Sequence, residues 1–459
     1  MEPTGSAECS PPALYSGEVE LVELEFTNRW SSSPLIAQFN LHDNTMMATR
    51  SEFFAFALLA VASTVFGANE KLKEIFRWKQ MDYQFADEAA RNASIAAGEF
   101  KHSNNLPLGI EVWEDKVFLT VPRWKSGVVS SLNYVKKDGG ESPLLIPYPD
   151  WETNNVSAAP YDSKIVNTFR VRADECDRLW VMDSGLNDIL ENPALLSPPK
   201  ILVFDLKTDK LLRVVPLQSS DVKEDSFFAN IVVDVEKDKC DGAFAYMPDL
   251  GSYGLVVYDW AKNETYRVKH HFFHFDPLAG NYHIGGVNFQ WTDGLFGIAL
   301  GQRGEDGFRT MYFHPLSSTR EFSVSTKIIQ NKTIASDSYY QYRVLGSRGP
   351  DSQATASFLD LPSGVLFYTQ VNKDGVGCWN SVKYANEYSA DTNGLVSSDN
   401  ETMIFPNDLK VDRQSNLWVI TDRLPSFIYK QLDESEVNFR VLSAPVNEII
   451  KGTVCNNDS

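Results

Sequence analysis

A short β-like phrase recurs six times along this chain, and this repetition constrains the fold more than any other feature. The copies VFLTVPR, LWVMDSG, AFAYMPD, LFGIALG, VLFYTQV and LWVITDR begin at Val117, Leu179, Ala243, Leu295, Val365 and Leu417. Their starts are 62, 64, 52, 70 and 52 residues apart. Each copy is rich in β-forming residues and too short for a buried helix.

A second strand-like run precedes each copy by about one turn. These runs are Gly109–Trp113, Thr168–Val171, Asn230–Asp234, Val287–Trp291, Ser357–Leu359 and Asp408–Val411. A unit of this length cannot bury its own apolar face, so neighbouring units must pack on one another. Six antiparallel units predict an all-β fold, a six-bladed β-propeller with a central channel.

Further strand-like runs follow the phrase and supply the four strands that a blade requires. Third strands are predicted at Lys200–Asp205, Leu255–Trp260, Thr310–His314 and Phe427–Lys430, and fourth strands at Leu211–Val215, Tyr266–Lys269, Glu321–Ser325 and Phe439–Ser443. The run Ile75–Phe85 is expected to complete the last blade and close the ring, because closure removes exposed strand edges. Asp87–Gly98 predicts one short helix.

The long apolar stretch Phe53–Phe66 follows Arg50 and predicts a secretory signal peptide over residues 46–67. It is too short and too rich in small residues for a comfortable transmembrane span. Residues 1–45 are interpreted as a doubtful leader or a mis-predicted start, since Met46 and Met47 stand where a start is expected. The alternative is a genuine extension that makes the segment an anchor. Residues 68–459 contain no linker-like stretch and are expected to form a single domain.

The formal net charge of -19, without a Lys/Arg-rich run, argues against nucleic acid or an anionic membrane as a partner. Acidity either favours a cationic small molecule or serves ordinary solubility. Six glycosylation sequons support a secreted, extracellular glycoprotein. They lie at Asn92, Asn155, Asn263, Asn331, Asn400 and Asn457.

Four cysteines lie beyond the predicted signal peptide, and Cys9 falls within the doubtful leader. Cys176 and Cys240 each lie three residues before the repeated phrase of successive units, so equivalent turns of adjacent blades bring them together. Cys378 follows the fifth phrase, and a bridge to Cys455 would tie the C-terminal tail to the ring. We expect the disulfides Cys176–Cys240 and Cys378–Cys455 rather than free buried thiols.

Several longer phrases resemble the insect yellow / major royal jelly protein family. They are PRWKSGVVSSLNYV, IPYPDW, DECDRLWVMDSG, VFDLKTD, DPLAGNYHIGGVNFQW, VGCWN and FPNDLKVD…NLWVITDRLP, and the likeness runs from about Trp78 to Cys455. The resemblance implies a secreted six-bladed propeller. Functions in this family range from dopachrome conversion and cuticle pigmentation to amine binding and nutrition, so the likeness implies function only loosely.

One departure from the family pattern concerns cysteine. Many pigmentation members carry an additional pair, one after the PYPDW phrase and one before the VFDL strand. Here the corresponding regions, Glu152–Ser163 and Glu191–Lys200, contain no cysteine. The joint absence fits the loss of one bridge and puts equivalence to any single member in doubt.

In a propeller the innermost strands line the channel, and the residues that begin them are candidate ligand contacts. The predicted ligand-binding residues are Asn407, Asn230, Asn288 and Thr355, with Phe169, Phe289 and Phe427 as stacking surfaces for an aromatic ring. The structural alternative for Asn407 is that it begins a strand by bonding to its own backbone.

Tautomerisation of a dopachrome-like substrate needs a base and a polar site, but no cofactor. Asp408 is the predicted base, and Arg170 or Arg423 would hold the substrate carboxylate. A divalent cation bound by Asp408, Asn230 and Asn288, as in propeller lactonases, is the alternative. The histidines at 270, 271, 274 and 283 lack the spacing of a metal site, so no metal is predicted.

Two functions from different classes remain open. The first is a secreted protein of melanin or cuticle pigmentation, with dopachrome isomerisation as its possible activity. The second is a non-catalytic binder of biogenic amines or other small aromatic ligands. The sequence contains no HExxH, P-loop, G-x-S-x-G or dinucleotide-binding pattern, so none of these catalytic classes is indicated.

Overall fold

A computed structural model describes residues 72–457, which contain six four-stranded antiparallel sheets arranged as the blades of a propeller. The predicted all-β, six-bladed architecture is confirmed. The expected leader over residues 1–45, the expected signal peptide over residues 46–67 and Cys9 lie outside the described residues. The domain boundary at residue 68 stays a prediction.

The blades are numbered along the chain, and the strands of each blade are given from the channel outward. Blade 1 contains Ile110–Trp113, Lys116–Thr120, Leu132–Lys136 and Ile146–Pro147. Blade 2 contains Thr168–Ala173, Arg178–Asp183, Lys200–Asp205 and Lys210–Pro216. Blade 3 contains Val232–Asp234, Phe244–Asp249, Gly254–Asp259 and Glu264–Lys269.

The second half of the ring follows the same scheme until the last blade. Blade 4 contains Leu295–Arg303, Arg309–Pro315, Arg320–Ser325 and Arg343–Ser347. Blade 5 contains Ser357–Asp360, Val365–Gln370, Gly375–Asn380 and Asn393–Ser398. Blade 6 contains Pro406–Val411, Asn416–Thr421, Phe439–Pro445 and, as its outermost strand, Lys73–Trp78.

Burial falls from the inner to the outer strands of a blade. In blade 2 the strand Arg178–Asp183 is buried throughout, whereas Lys210–Pro216 is mostly exposed or half-buried. Neighbouring blades cover both faces of the inner strands. This two-sided cover explains why the repeated phrases read as continuous apolar runs rather than as an alternation.

Blade 4 departs from the prediction, because its LFGIALG phrase belongs to the innermost strand rather than to the second. The expected inner run forms a separate hairpin, in which Asn281–Ile284 pairs with Val287–Gln290. Gly285 and Gly286 supply the two positive φ angles of the turn, +56° and +72°, so local pairing is favoured. The runs predicted as third and fourth strands are therefore the second and third.

Blade 6 confirms ring closure and corrects one strand. Lys73–Trp78 pairs with Phe439–Pro445, so the N-terminal strand completes the last blade, although it begins two residues before the predicted run Ile75–Phe85 and ends seven residues before the end of that run. The prediction of a third strand at Phe427–Lys430 is wrong, because Leu424–Tyr429 is a helix with a proline in its first turn. Proline is well tolerated there because its missing N–H would have no partner within the helix.

The helices are short and connect or flank the strands. They are the α-helices Glu88–Ala96, Trp151–Asn154, Thr326–Ile329, Leu424–Tyr429 and Val446–Ile449, and the 3-10 helices His102–Asn104, Cys240–Gly242, His271–Phe273, Tyr339–Gln341 and Val371–Lys373. The first confirms the predicted helix, and Asp87 caps it by accepting from the Ala90 N–H at 2.8 Å. Among residues 72–457, no helix is both long and apolar enough to cross a membrane.

Both predicted disulfides are confirmed. Cys176 and Cys240 join blades 2 and 3 with a Cα–Cα distance of 5.9 Å. Cys378 and Cys455 join blade 5 to the C-terminal segment with a Cα–Cα distance of 6.2 Å. The second bridge holds the tail against the ring, as the sequence indicated.

Candidate functional site

The centre of the propeller is closed by the side chain of Arg170. Its guanidinium lies 4.1 Å from the centroid of the Phe296 ring, and Nη1 donates to the Thr355 carbonyl at 3.0 Å. Nη2 donates to the carbonyl and the Oδ1 atom of Asn407, and Nε lies 3.4 Å from Asp408 Oδ1. Arg170 is fully buried and joins blades 2, 4, 5 and 6, so its contacts are those of a structural plug.

Asp408, the predicted base, is also fully buried. Its Oδ2 atom accepts from the Ile110 N–H at 3.0 Å, and its Oδ1 atom accepts from the Leu409 N–H at 2.9 Å. The Lys410 ammonium donates to both carboxylate oxygens at 2.7 and 2.8 Å. Hydrogen bonds from blade 1 and blade 6 thus hold this carboxylate in place.

Three further predicted residues are buried and are bonded to protein groups. Asn407 Nδ2 donates to Asp422 Oδ2 at 2.7 Å, and Asn230 Nδ2 donates to the Phe296 carbonyl at 2.9 Å. The Thr355 hydroxyl donates to the Asn407 carbonyl at 2.7 Å. The structure brings these residues together around Arg170, where their polar atoms join the blades. Their predicted ligand roles stay predictions.

Asp422 was missed by the sequence reasoning. Burial raises the pKa of its carboxyl well above the usual range. A signal was present in the repeats, because Asp183 and Asp249 end the second strands of blades 2 and 3 and Asp422 directly follows that of blade 6. Asp183 accepts from the Val166 and Asn167 N–H groups at 2.8 Å, so an aspartate at this place anchors the chain arriving from the previous blade.

The aromatic residues predicted to stack on a ligand pack on other aromatic rings instead. Phe169 lies 5.1 Å from Trp124 and 4.9 Å from Phe227, in edge-on arrangements. Phe289 stacks on Tyr282 at 5.0 Å within the hairpin that precedes blade 4. These rings lie near the amino ends of the innermost strands and belong to the same core cluster, so that end of the channel is filled by apolar side chains.

The other predicted residues lie away from the axis. Asn288 is exposed in the same hairpin and bonds to the His283 ring, so its assignment to an innermost strand is wrong. Phe427 lies in the blade 6 helix, with the Lys125 ammonium 4.5 Å from its ring centroid. Arg423 directly precedes that helix, with a φ of 53°. None of these three side chains contributes to the cavity on the axis.

A cavity of about 370 Å³ lies on the other side of the Arg170 plug, toward the carboxyl ends of the innermost strands. Every blade contributes to its wall. One wall residue from each of blades 1 to 6, in order, is Glu111, Arg172, Val232, Ile298, Phe358 and Asp408. The propeller therefore offers a ligand-sized space at the end of the channel opposite to the aromatic cluster.

Arg172 spans this cavity. It belongs to blade 2, yet its guanidinium lies 4.5 Å from the ring centroid of Phe358 in blade 5, on the opposite side of the ring of blades. Its Nη1 atom donates to Glu111 Oε2 at 3.3 Å, and the side chain is 19% exposed. Its Nε and Nη2 atoms have no protein partner within residues 72–457. They are donors that a ligand can reach.

A hydroxyl in the same wall also lacks a partner. Ser357 precedes Phe358 and is 8% exposed, and its Oγ atom is buried without a hydrogen bond in the described part of the chain. A buried polar atom without a partner costs free energy, so an unpaired hydroxyl in a cavity wall points to a water molecule or a ligand atom.

The mouth of this cavity is acidic, but two of its carboxylates have structural partners. Asp174 Oδ2 accepts from the Trp180 Nε1–H at 2.8 Å, and Asp412 Oδ2 accepts from Trp418 Nε1–H at 2.9 Å. Both aspartates close the turn between the first and second strands of their blades. The repeated spacing D-x5-W was the sequence signal for this contact.

The remaining sequence predictions concern surface groups. All six sequon asparagines are exposed, which is compatible with glycosylation. His283 lies apart from the other three histidines, in the hairpin before blade 4. Within residues 72–457, no group of three or more His, Cys, Asp or Glu side chains is arranged to hold a metal ion.

The matching family model and the similar proteins indicate the same family for this chain. The family model described as major royal jelly protein matches residues 166–455. Protein yellow of Drosophila subobscura is 38% identical over 409 residues, covering 88% of this chain and 71% of its own. Protein yellow of Drosophila melanogaster is 39% identical over 390 residues, covering 84% and 71%. A luciferin-regenerating enzyme of known structure superposes with a TM-score of 0.43 over 78% of this chain and 94% of its own, at 10% identity, and carries no functional argument.

Proposed function

Because the chain belongs to the major royal jelly protein and yellow family, we propose that it is a secreted protein of pigment chemistry that binds a small aromatic acid in its channel cavity. The observation that carries this proposal is the cavity of about 370 Å³ on the propeller axis. Its volume lies within the range of small-molecule sites, and every blade contributes to its wall.

The wall suits an aromatic ring that carries a carboxylate. The free Nε and Nη2 atoms of Arg172 are parallel donors, and a guanidinium binds a carboxylate best through two such bonds. Ser357 supplies a hydroxyl, and Ile231 and Ile298 supply apolar surface. Molecules of the dopachrome class combine a flat ring with a carboxylate and therefore match these groups.

Isomerisation is the activity proposed for this site. A proton must leave the carbon that bears the carboxylate and return elsewhere on the ring system. Asp408 and Lys410 lie in the cavity wall and are directly hydrogen-bonded, and burial lowers the pKa of Lys410. This pair is the proposed place of proton transfer. Arg170, which lies behind it, would stabilise the charge of Asp408 rather than touch the substrate.

The test is to mix purified protein with dopachrome and to follow the loss of dopachrome by its visible absorbance. Dopachrome should disappear faster with the protein than in buffer. Lys410→Met should reduce this acceleration at least about tenfold, whereas the surface control Lys136→Met should not. This result would support proton transfer at the pair Asp408 and Lys410. Absence of acceleration by the unmodified protein would remove the enzyme proposal and leave binding to be tested alone.

Binding of an amine is the second candidate, favoured by the carboxylates at the cavity mouth, among them Asp174, Glu175, Asp360 and Asp412. Calorimetry with L-DOPA and dopamine separates the two, because these ligands differ only in the carboxylate. Tighter binding of L-DOPA, with loss of that preference in Arg172→Gln, supports the aromatic acid. Tighter binding of dopamine, serotonin or octopamine supports the amine, and flat titrations contradict both.

The extracellular location is supported by the two disulfides and the exposed sequons. Two measurements on protein secreted from insect cells test it. N-terminal sequencing should find a start near Ala68, and glycosidase treatment should lower the apparent mass. Retention of the uncleaved chain in the membrane fraction would favour the anchor alternative.

A further inference from the structure

A cleft of about 490 Å³ lies at the outer edge of the propeller, where blades 3 and 4 meet. Among the described residues that line it, none is an aspartate or a glutamate, although the chain has 61 acidic and 42 basic residues. The lining residues are Lys223, Ser252, Tyr253, Arg267, Lys269, His270, His271, His274, Ser336 and Tyr339. A basic cleft on an acidic protein is a local reversal of charge.

Stacked rings hold the walls of this cleft in place. His270 lies 3.9 Å from the Tyr342 ring and 4.3 Å from the His271 ring, both in stacked geometry. His274 lies 4.6 Å from Tyr253. The two exposed imidazoles, His271 and His274, therefore have supported orientations, and their nitrogen atoms have no protein partner within residues 72–457.

His270 is the structural member of the group. Its Nδ1 atom accepts from the Phe272 N–H at 3.1 Å, and its Nε2 atom lies 3.2 Å from the Tyr339 carbonyl. These contacts require the neutral tautomer with the proton on Nε2, and burial lowers the pKa of His270 to about 4. His270 thereby ties the Tyr339 segment of blade 4 to blade 3 without adding charge.

The positive charge that remains available comes from two lysines. Arg267 is neutralised, because its Nη1 atom donates to Asp249 Oδ2 at 2.8 Å. The Lys269 ammonium is exposed without a protein partner within residues 72–457, and the Lys223 ammonium donates there only to the Ser220 carbonyl, at 2.8 Å. The ammonium groups and the imidazole N–H groups are the donors that an oxyanion requires.

We propose that this cleft binds a sulfate or phosphate group, carried either by a small solute or by an anionic polymer. Lys223 and Lys269 supply the charge, and His271 and His274 supply oriented hydrogen-bond donors. The site is separate from the channel cavity, with which it shares no lining residue, and does not depend on pigment chemistry. A net charge of -19 repels anions in general, so binding must come from the local patch.

The test is calorimetry of the full chain with inorganic phosphate, inorganic sulfate and dextran sulfate at low ionic strength. The double variant Lys223→Ala/Lys269→Ala should weaken binding about tenfold, since each exposed charge contributes modestly. The control Lys136→Ala/Lys237→Ala changes net charge equally and should bind like the unmodified protein. Binding of the small anions identifies a small solute, and binding of dextran sulfate alone identifies a polymer.

Two results would overturn the proposal. One is flat titrations with all three probes. The other is equal weakening in both double variants, because that would reflect net charge rather than the cleft. Thermal unfolding of each variant checks its folding, and His271→Ala/His274→Ala gives an independent test that leaves the lysines in place.

Discussion

The guanidinium of Arg170, in blade 2, lies 4.1 Å from the ring of Phe296, in blade 4, so one stacked pair closes the propeller axis. Four blades meet at this arginine. The plug separates an apolar, aromatic end of the channel from an end that holds a charged cavity.

Replacement of this plug should destabilise the whole ring. Arg170→Met leaves the Thr355 carbonyl without its donor, removes one of the two donors to the Asn407 carbonyl, and removes a cation beside Asp408. We expect the free energy of unfolding to fall by about 3 kcal/mol or more, measured by urea denaturation. Arg77→Met, at a half-exposed arginine on the outermost strand of blade 6, is the control and should change it by less than about 1 kcal/mol. Equal stability of Arg170→Met and the unmodified protein would contradict the structural role of Arg170 on the propeller axis.

Ionisation of the Asp293 carboxyl should lower the free energy of unfolding as the pH rises from 4 to 7. Burial raises the pKa of this partly buried carboxyl to about 6, so the folded protein holds a proton that the unfolded chain has already lost. Its carboxylate has no hydrogen-bond partner within residues 72–457. Asp293→Asn should therefore stabilise the protein by about 1–2 kcal/mol at pH 7.5 and by almost nothing at pH 4. Urea unfolding at both pH values measures this, and a pH-independent gain would refute the assignment.

The ring should depend on its N-terminal strand. Lys73–Trp78 is the outermost strand of blade 6, and its Phe76 and Trp78 are buried. A chain beginning at residue 68 should fold, whereas one beginning at residue 79 should expose a strand edge and aggregate. Size-exclusion chromatography and circular dichroism compare the two. A folded monomer from the shorter chain would show that closure does not require this strand.

Both disulfides should contribute to stability, each by about 2–4 kcal/mol. Cys176→Ser/Cys240→Ser uncouples blades 2 and 3, and Cys378→Ser/Cys455→Ser frees the C-terminal segment. Thermal unfolding of the two double variants measures the loss. In the second variant, limited proteolysis should also cleave the tail faster. An unchanged melting temperature in either variant would contradict the contribution of that bridge.

The repeats predicted the positions of some candidate site residues and misplaced others. Alignment of the repeats placed Asn407, Asp408, Thr355 and Arg170 on the axis, where the structure has them. It failed for Asn288, because the glycine pair before it closes a local hairpin that competes with blade pairing. Phe427 was misplaced for a similar reason, since a short apolar run fits a strand and a helix equally well.

The sequence by itself determined the number of blades, the presence of a closing N-terminal strand and the cysteine pairs. The repeated phrase marks each blade and aligns Cys176 with Cys240, closure of the ring requires the N-terminal strand, and the position of Cys455 near the C-terminal end matches it with Cys378. Only the tertiary structure decided which side chains are free to bind. Arg170 and Arg172 lie two positions apart in one strand. The Arg170 guanidinium donates to carbonyls of blades 5 and 6, whereas the Arg172 guanidinium reaches Phe358 across an open cavity. Whether a polar atom is satisfied depends on neighbours distant in the chain, and local sequence does not encode those neighbours.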